Sequence, residues 1–346
     1  MAVYRPVFGI WQARAKRLVK RATMAETVTI AHLTDVHLGP IAGFTPRYWN
    51  LKRGLGYLNW VRKRRHDHLR AALDRVVADL IAQGPDHIAV GGDLCNIGLP
   101  QEHAAALAWL ESLGPPGRVS VVPGNHDIYC RLDRDPGVRR WASYMTSDAQ
   151  GAAFLDDPAG FPFVRVVGRV ALVGVNSALP TPPAMAWGRV GGGQLKRLAA
   201  VLDRLAGAGM FRLVLIHHPP LSSQASGARG LRDAAAVEAT LALHGAELVV
   251  HGHNHLNMLA WHPFGSAMFP IVGAPSASLG RLHRHEPLAR YNLLRIDPAA
   301  GAIELIGRGM AEPGGTIVEV ERRSLGRDRP EPAVGHSTHE NPSWEA

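Results

Sequence analysis

The stretch VVPGNHDIYC, residues 121–130, runs an apolar pair through proline and glycine into three polar side chains, Asn125, His126 and Asp127. A tight turn needs one or two such residues, and an Asx-type turn that happens to hold a histidine would account for part of the set. The same arrangement recurs on either side. TVTIAHL (27–33) leads to Asp35 and His37, and HIAVGG (87–92) leads to Asp93. FRLVLIHH (211–218) ends in His217 and His218, and AELVVHG (246–252) carries His251 and runs into His253 and His255. These apolar runs, together with VSVVPG (119–124) and VALVGV (170–175), have the length and β-branched content of buried strands. Five of them deliver ligand-type side chains at their C-terminal ends, the edge where sites assemble in open α/β sheets.

Between strands the apolar period changes from two to helical. Helices are expected at 68–84, 102–114, 192–209 and 231–245, several closed by a glycine suited to a C-cap. Strand–helix alternation predicts an α/β class with mainly parallel pairing and helices outside the sheets. After residue 255 the helical pattern stops, and NMLAWHP, SAMFPIVGAP, ARYNLLRID and AIELIG read as strands closing a second sheet. The Pro-, Gly-, Arg- and Glu-rich tail (322–346) reads as disordered.

The chain has 346 residues, 46% hydrophobic and 19% charged, which is ordinary for a globular enzyme with a sizeable core. Two cysteines, Cys95 and Cys130, make no disulfide framework and read as packing residues, so a reducing, cytoplasmic setting is expected. No apolar run is long enough to span a bilayer, and no signal-peptide pattern opens the chain. The net charge of +9 is concentrated in two places. Residues 1–25 hold six Lys and Arg and no acid, and residues 47–65 hold seven and no acid, leaving 25 basic residues against 29 acidic ones elsewhere. A nucleic-acid-binding protein spreads such charge over a groove, so nucleic acid is not the expected partner. In 8–22, Phe8, Trp11, Ala15, Leu18 and Ala22 fall at helical spacing beside Arg14, Arg17 and Arg21. With 47–65 this predicts a peripheral contact with an anionic membrane, at the inner surface.

Asp, His and a neutral amide oxygen form a mixed donor set that suits Mn, Fe or Zn rather than Ca or Mg. Seven donors for two divalent ions require one to be shared, and a carboxylate with two oxygens is the natural bridge.

The series Asp35-x-His37, Gly92-Asp93, Gly124-Asn125-His126-Asp127, His217-x-Pro219 and Gly252-His253-x-His255 resembles the calcineurin-like metallophosphoesterase superfamily over roughly 27–310. The resemblance implies a four-layer αββα sandwich of the calcineurin-like phosphoesterase type, spanning 26–321 between the basic extension (1–25) and the tail. It implies a dinuclear site in which Asp35, His37 and His255 hold one metal, Asn125, His217 and His253 hold the second, and Asp93 bridges. A hydroxide between the ions would then attack phosphorus, with His126 reaching the phosphate or leaving group and Asp127 orienting His126. His218 is open between packing, support and ligation. His251 is expected to cap its strand or support a neighbouring ligand, and His283 and His285 to lie on a solvated loop, with lining of the substrate pocket as the alternative.

Substrate is less defined. GAPSAS (273–278) and the strand YNLLRID resemble bacterial class III cyclic nucleotide phosphodiesterases. The basic, aromatic insertion 47–65 is similar to what UDP-diacylglucosamine pyrophosphatases of lipid A synthesis carry beside their site, so a nucleotide and a nucleotide-linked lipid both stand as substrates. The plainer reading of 47–65 is an amphipathic helix packed beside the site. A metal-free scaffold of the same fold is the reading from another class, and a complete ligand set argues against it.

Overall fold

Strand β1 (Val28–Leu33) is the spine of the first sheet. It pairs in parallel with β2 (His87–Val90), which pairs in parallel with β3 (Val119–Val121). The structure is a computed structural model, and it describes residues 27–326 except 133–134 and 283–284. The expected helix within 1–25, His283, and the tail beyond 326 lie outside the described residues.

The second sheet is built on β5 (Val170–Val175), β6 (Phe211–Ile216), β7 (Leu248–His251) and β9 (Ala267–Gly273), all parallel. Antiparallel β4 (Phe163–Val167) and β8 (Met258–Phe264) form its edges. The strands after 255 do not all join this sheet as expected. β8 and β9 do, but β10 (Arg290–Asp297) and β11 (Ala302–Met310) cross back and extend the first sheet antiparallel from β1. Periodicity marks a strand and carries no information about which edge it will find.

Alternation along β6 shows why the sheets stack. Leu213 and Leu215 belong to the core shared with β1, β2 and β3, while Val214 and Ile216 pack with the helices outside. Those helices are α4 (Gly192–Gly207) and α5 (Ala234–His244), against which Val173 and Val249 also pack. On the far side of the first sheet lie α2 (Arg70–Gln83) and α3 (Pro100–Leu113), with Leu73, Val76 and Leu110 in the shared core. The result is the expected αββα order. Gly84, in the left-handed region at φ 60°, closes α2 as a C-cap glycine does.

Two strands were not anticipated. One is β4. The other, β12 (Ile317–Leu325), pairs with β11 and carries the domain past the expected boundary at 321. Its sequence looks like tail because it is an edge strand whose charges answer one another across the surface. Arg322 pairs with Glu319 at 2.7 Å and with Glu304, and Arg323 pairs with Glu321.

The helix expected in 47–65 forms, with Lys52 and Arg53 turned inward and its leucines outward. The Asn50 side chain accepts the Arg53 N–H at 2.9 Å and caps α1 (Leu51–Asn59), which continues through a π-helical turn, Trp60–Arg64. Leu51, Leu55 and Leu58 are 60%, 49% and 43% exposed, while Lys52 and Arg53 are 7% and 4% exposed. The buried cations find carbonyls in place of carboxylates. Lys52 donates to Tyr129 O and Thr181 Oγ1, and Arg53 to Ile97 O, Gly98 O and Tyr48 O. No helix among the described residues is long and apolar enough to cross a membrane.

Candidate metal centre

The C-terminal ends of β1, β2, β3, β6 and β7 converge, and each is followed within a few residues by a side chain singled out in the sequence. The backbone there is unusual. Among the described residues six non-glycine residues have positive φ, and five are Asp35 (52°), His37 (42°), Asp93 (55°), His253 (70°) and His255 (57°). Left-handed backbone costs a non-glycine residue free energy and clusters at functional sites. Neighbouring glycines make room. A Cβ on Gly124 would come 2.1 Å from Asp93 Oδ1, and one on Gly252 would come 2.5 Å from Asp35 Oδ2.

Two groups of donors form on either side of Asp93. In the first, Asp35 Oδ1 lies 3.2 Å from His255 Nε2, which lies 3.4 Å from His37 Nε2. In the second, Asn125 Oδ1 lies 3.2 Å from His217 Nε2 and 2.9 Å from His253 Nδ1. Asp93 Oδ1 is taken by the His126 N–H at 2.7 Å. Its Oδ2 is 3.5 Å from His217 Nε2 and 4.0 Å from His37 Nε2. A single oxygen therefore faces both groups, where the sequence suggested one oxygen for each.

The donor chemistry fits divalent cations. His37 Nδ1 is 3.1 Å from Cys95 O, and His255 Nδ1 is 3.1 Å from Glu286 Oε2. With those nitrogens donating, both Nε2 atoms turn toward each other across 3.4 Å, an arrangement that needs a cation between them or a proton on one of them. Donors at about 2.1 Å from one ion stand about 3–3.5 Å apart, the spacing seen here. His217 is oriented likewise by Gly91 O, 2.7 Å from its Nδ1.

In the metal-free protein these groups hold protons. Burial presses His217 down, but the Asp93 and Asp35 carboxylates together outweigh it and hold the ring up at about 9. Burial likewise opposes charge on His255, and Asp35 with Glu286 raises it to about 9. Asp35 and Asp93 resist the upward push of burial because the facing histidines hold both below the usual carboxylate range. Burial keeps His37 and His253 neutral. Metal uptake near pH 7 must therefore expel protons from His217 and His255. Apparent affinity should rise by about one log unit per pH unit for each proton displaced, and level off above about 9. Titrating stripped protein with Mn in two buffers of different ionisation enthalpy reads this directly. Proton-free uptake at pH 7 would contradict it.

Asp127 does not orient His126. Its carboxylate accepts the backbone N–H groups of Asp93, Leu94, Cys95 and Gly124 at 2.8–2.9 Å, tying the loop that carries Asp93 to the loop that carries Asn125. Burial and then the Asp93 charge push its pKa up to about 7, while four N–H donors and no acceptor favour the ionised form. His126 is oriented instead by Asn96 O, which its Nδ1 contacts, with the Arg64 guanidinium 3.2 Å from the same nitrogen.

His218 has neither ring nitrogen to spare. Nδ1 is 2.8 Å from Ser177 Oγ and Nε2 is 3.1 Å from Ala186 O, so it packs beside His253 as support. His251 is buried, with Nδ1 3.0 Å from Gly252 O, consistent with a supporting position. Cys95 is fully buried, and its carbonyl serves His37. Cys130 is half-buried, its sulfur beside the Asn50 side chain.

A cleft of about 460 Å³ opens over the two groups. Arg64, His68, Arg229 and Glu286 line it, and sequence reading singled out none of them. Arg64 lay in a basic run whose spacing could not say which member turns inward. His68 packs edge-on against His37 at 4.7 Å between ring centroids and meets Ser278 Oγ at 2.8 Å. Arg229 donates to His253 O at 2.9 Å. His285 is exposed, as a loop residue should be, yet it also lines the cleft.

Comparison with known proteins gives consistent results. The family model described as calcineurin-like phosphoesterase matches residues 28–257. A probable cyclic nucleotide phosphodiesterase from Synechococcus sp. is 25% identical over 226 residues, covering 64% of this chain and 76% of that protein. Among solved structures, a dimetal phosphatase from Danio rerio superposes with a TM-score of 0.54 at 15% identity, covering 87% of this chain and 99% of the other. A purple acid phosphatase from yellow lupin (Lupinus luteus) seeds superposes at 0.50 and 13% identity, over 88% of this chain and 55% of its own. At these identities the solved structures speak for the fold.

Proposed function

We propose that this chain, which belongs to the calcineurin-like phosphoesterase family and is a metal-dependent phosphoric ester hydrolase, cleaves phosphodiester bonds in small nucleotides. The reading rests on one observation: Asp93 Oδ2 stands between His37 and His217, so one carboxylate serves two donor groups. Asp35, His37 and His255 would hold one ion, Asn125, His217 and His253 the other, and Asp93 would be shared between them. The oxygen and nitrogen donors suit Mn, Fe or Zn. When bound, the ions supply charge for the phosphoryl oxygens and an acidified water as nucleophile.

The chain's own groups do the rest. Nδ1 of His126 is committed to Asn96 O, so Nε2 is the nitrogen left for substrate. Burial and then Arg64 press this ring down to about 3, so it is neutral before substrate arrives. An anionic phosphoryl group placed against it reverses part of that penalty, so Nε2 takes up a proton from solvent as substrate binds and passes it to the leaving oxygen. Arg64 and Arg229 flank the cleft and give fork-shaped donors to non-bridging oxygens. Similarity to the probable cyclic nucleotide phosphodiesterase of Synechococcus supports a cyclic nucleotide as the substrate type.

A second reading, hydrolysis of a nucleotide pyrophosphate, is favoured by cation count. Lys63, Arg64 and Arg229 line the cleft beyond the donor groups, more than the single charge of a phosphodiester requires. A panel with Mn separates the two: cyclic nucleotides, a bis-aryl phosphodiester, an aryl monoester and a nucleotide-diphosphate sugar. Turnover of cyclic nucleotides and the bis-aryl diester above the others supports the first reading. Preference for the diphosphate transfers the site to the second, and preference for the monoester contradicts both.

A further inference from the structure

We propose that the outward face of α1 docks on an anionic lipid bilayer, placing the mouth of the cleft at the headgroup layer. Trp49, Leu51, Leu55 and Leu58 are 62%, 60%, 49% and 43% exposed, and they account for four of the exposed large hydrophobic side chains among the described residues. Positions 51, 55 and 58 follow helical spacing and make one stripe. Gly54 lets the indole of Trp49 lie along the helix, since a Cβ there would meet its Nε1 at 3.2 Å. A contiguous apolar surface of this kind marks an interaction site more often than scattered single residues do.

Charge selects the occupant. Arg47, Arg62, Lys63 and Arg65 are all exposed around or just beyond the stripe, and residues 47–65 contain no acid. Two occupants close at hand are the chain's own residues 1–25 and a second copy of α1. The first carries six basic residues and no acid, and the second would bring the same seven, so either sets like charge against like. An anionic bilayer offers the reverse: negative headgroups for the rim, and a headgroup–acyl boundary for one tryptophan and three leucines. The inward turn of Lys52 and Arg53 belongs to this arrangement, because burying them against carbonyls is what leaves the leucines outside. Asn59 and Lys63, on the same run of helix, line the cleft, so a chain seated on this face presents its site along the surface.

The test uses the full-length protein and Leu55→Glu/Leu58→Glu, a pair outside the candidate site. The wild type should sediment with vesicles rich in phosphatidylglycerol, not with phosphatidylcholine vesicles, and should be released as ionic strength climbs from about 0.05 to about 0.5 M. The double variant should bind at least about tenfold more weakly, with turnover of a bis-aryl phosphodiester at the wild-type level. Leu55→Ser/Leu58→Ser, read the same way, stands in if the charged pair misfolds. Failure of the wild type to sediment at low salt overturns the proposal, as does a variant that sediments like the wild type. A wild-type dimer that the substitutions convert to monomer would also overturn it, by making a second copy the occupant. None of these results depends on which ester the site hydrolyses.

Discussion

Asp93→Asn should leave a folded protein that holds no more than one metal per chain and turns over at least about a thousandfold more slowly than the wild type. Asparagine tolerates left-handed backbone, so φ 55° at this position is retained, and its carbonyl can still accept the His126 N–H. What changes is the atom facing both donor groups. An amide NH₂ replaces Oδ2 opposite His217 Nε2 and His37 Nε2, so a donor meets two nitrogens that must themselves face a cation. Removing one partner from a buried charged set costs about 3–5 kcal/mol. At 1.4 kcal/mol per decade this is about 10²- to 10⁴-fold in metal affinity. Elemental analysis after dialysis gives the stoichiometry. Two retained metals with near wild-type turnover would remove Asp93 from its assigned position.

His126→Ala should separate rate from metal content. The His126 main-chain N–H to Asp93 survives the change, so both metals should remain while turnover falls roughly 10²- to 10⁴-fold, the range for a positioned proton donor. The loss should shrink for esters with very acidic leaving groups, which depart without a proton. Plotting log kcat against leaving-group pKa for wild type and variant reads this as a steeper slope in the variant. Parallel lines would assign His126 to charge stabilisation, and loss of metal would overturn its place outside the ligand set.

Much of the centre is legible in the sequence because its side chains ride on short turns directly after strands. Phase along the chain then becomes proximity in space, and Asp35, His37, Asp93, Asn125, His217, His253 and His255 converge for that reason. Arg64, His68, Arg229 and Glu286 reach the cleft from longer excursions, where no local period dictates direction. Asp127 was placed in the right turn with the wrong partner. The family resemblance implied an orienter of His126, whereas four backbone N–H groups compete for the same carboxylate and win. Which face of the helix in 47–65 turns inward was not legible, because Lys52 and Arg53 find carbonyls at the loops around residues 97 and 129, contacts that hydrophobic periodicity cannot weigh.

The five left-handed residues bear on how this chain can change over generations. At about 1 kcal/mol each they withhold about 5 kcal/mol from a fold whose whole margin is of the order of 5–15 kcal/mol. Glycine at any of the five would return part of that stability and delete a ligand in the same step. Selection for robustness alone therefore erodes the centre, and a lineage released from the need for the reaction has a downhill path toward a sturdier, inert protein of the same shape.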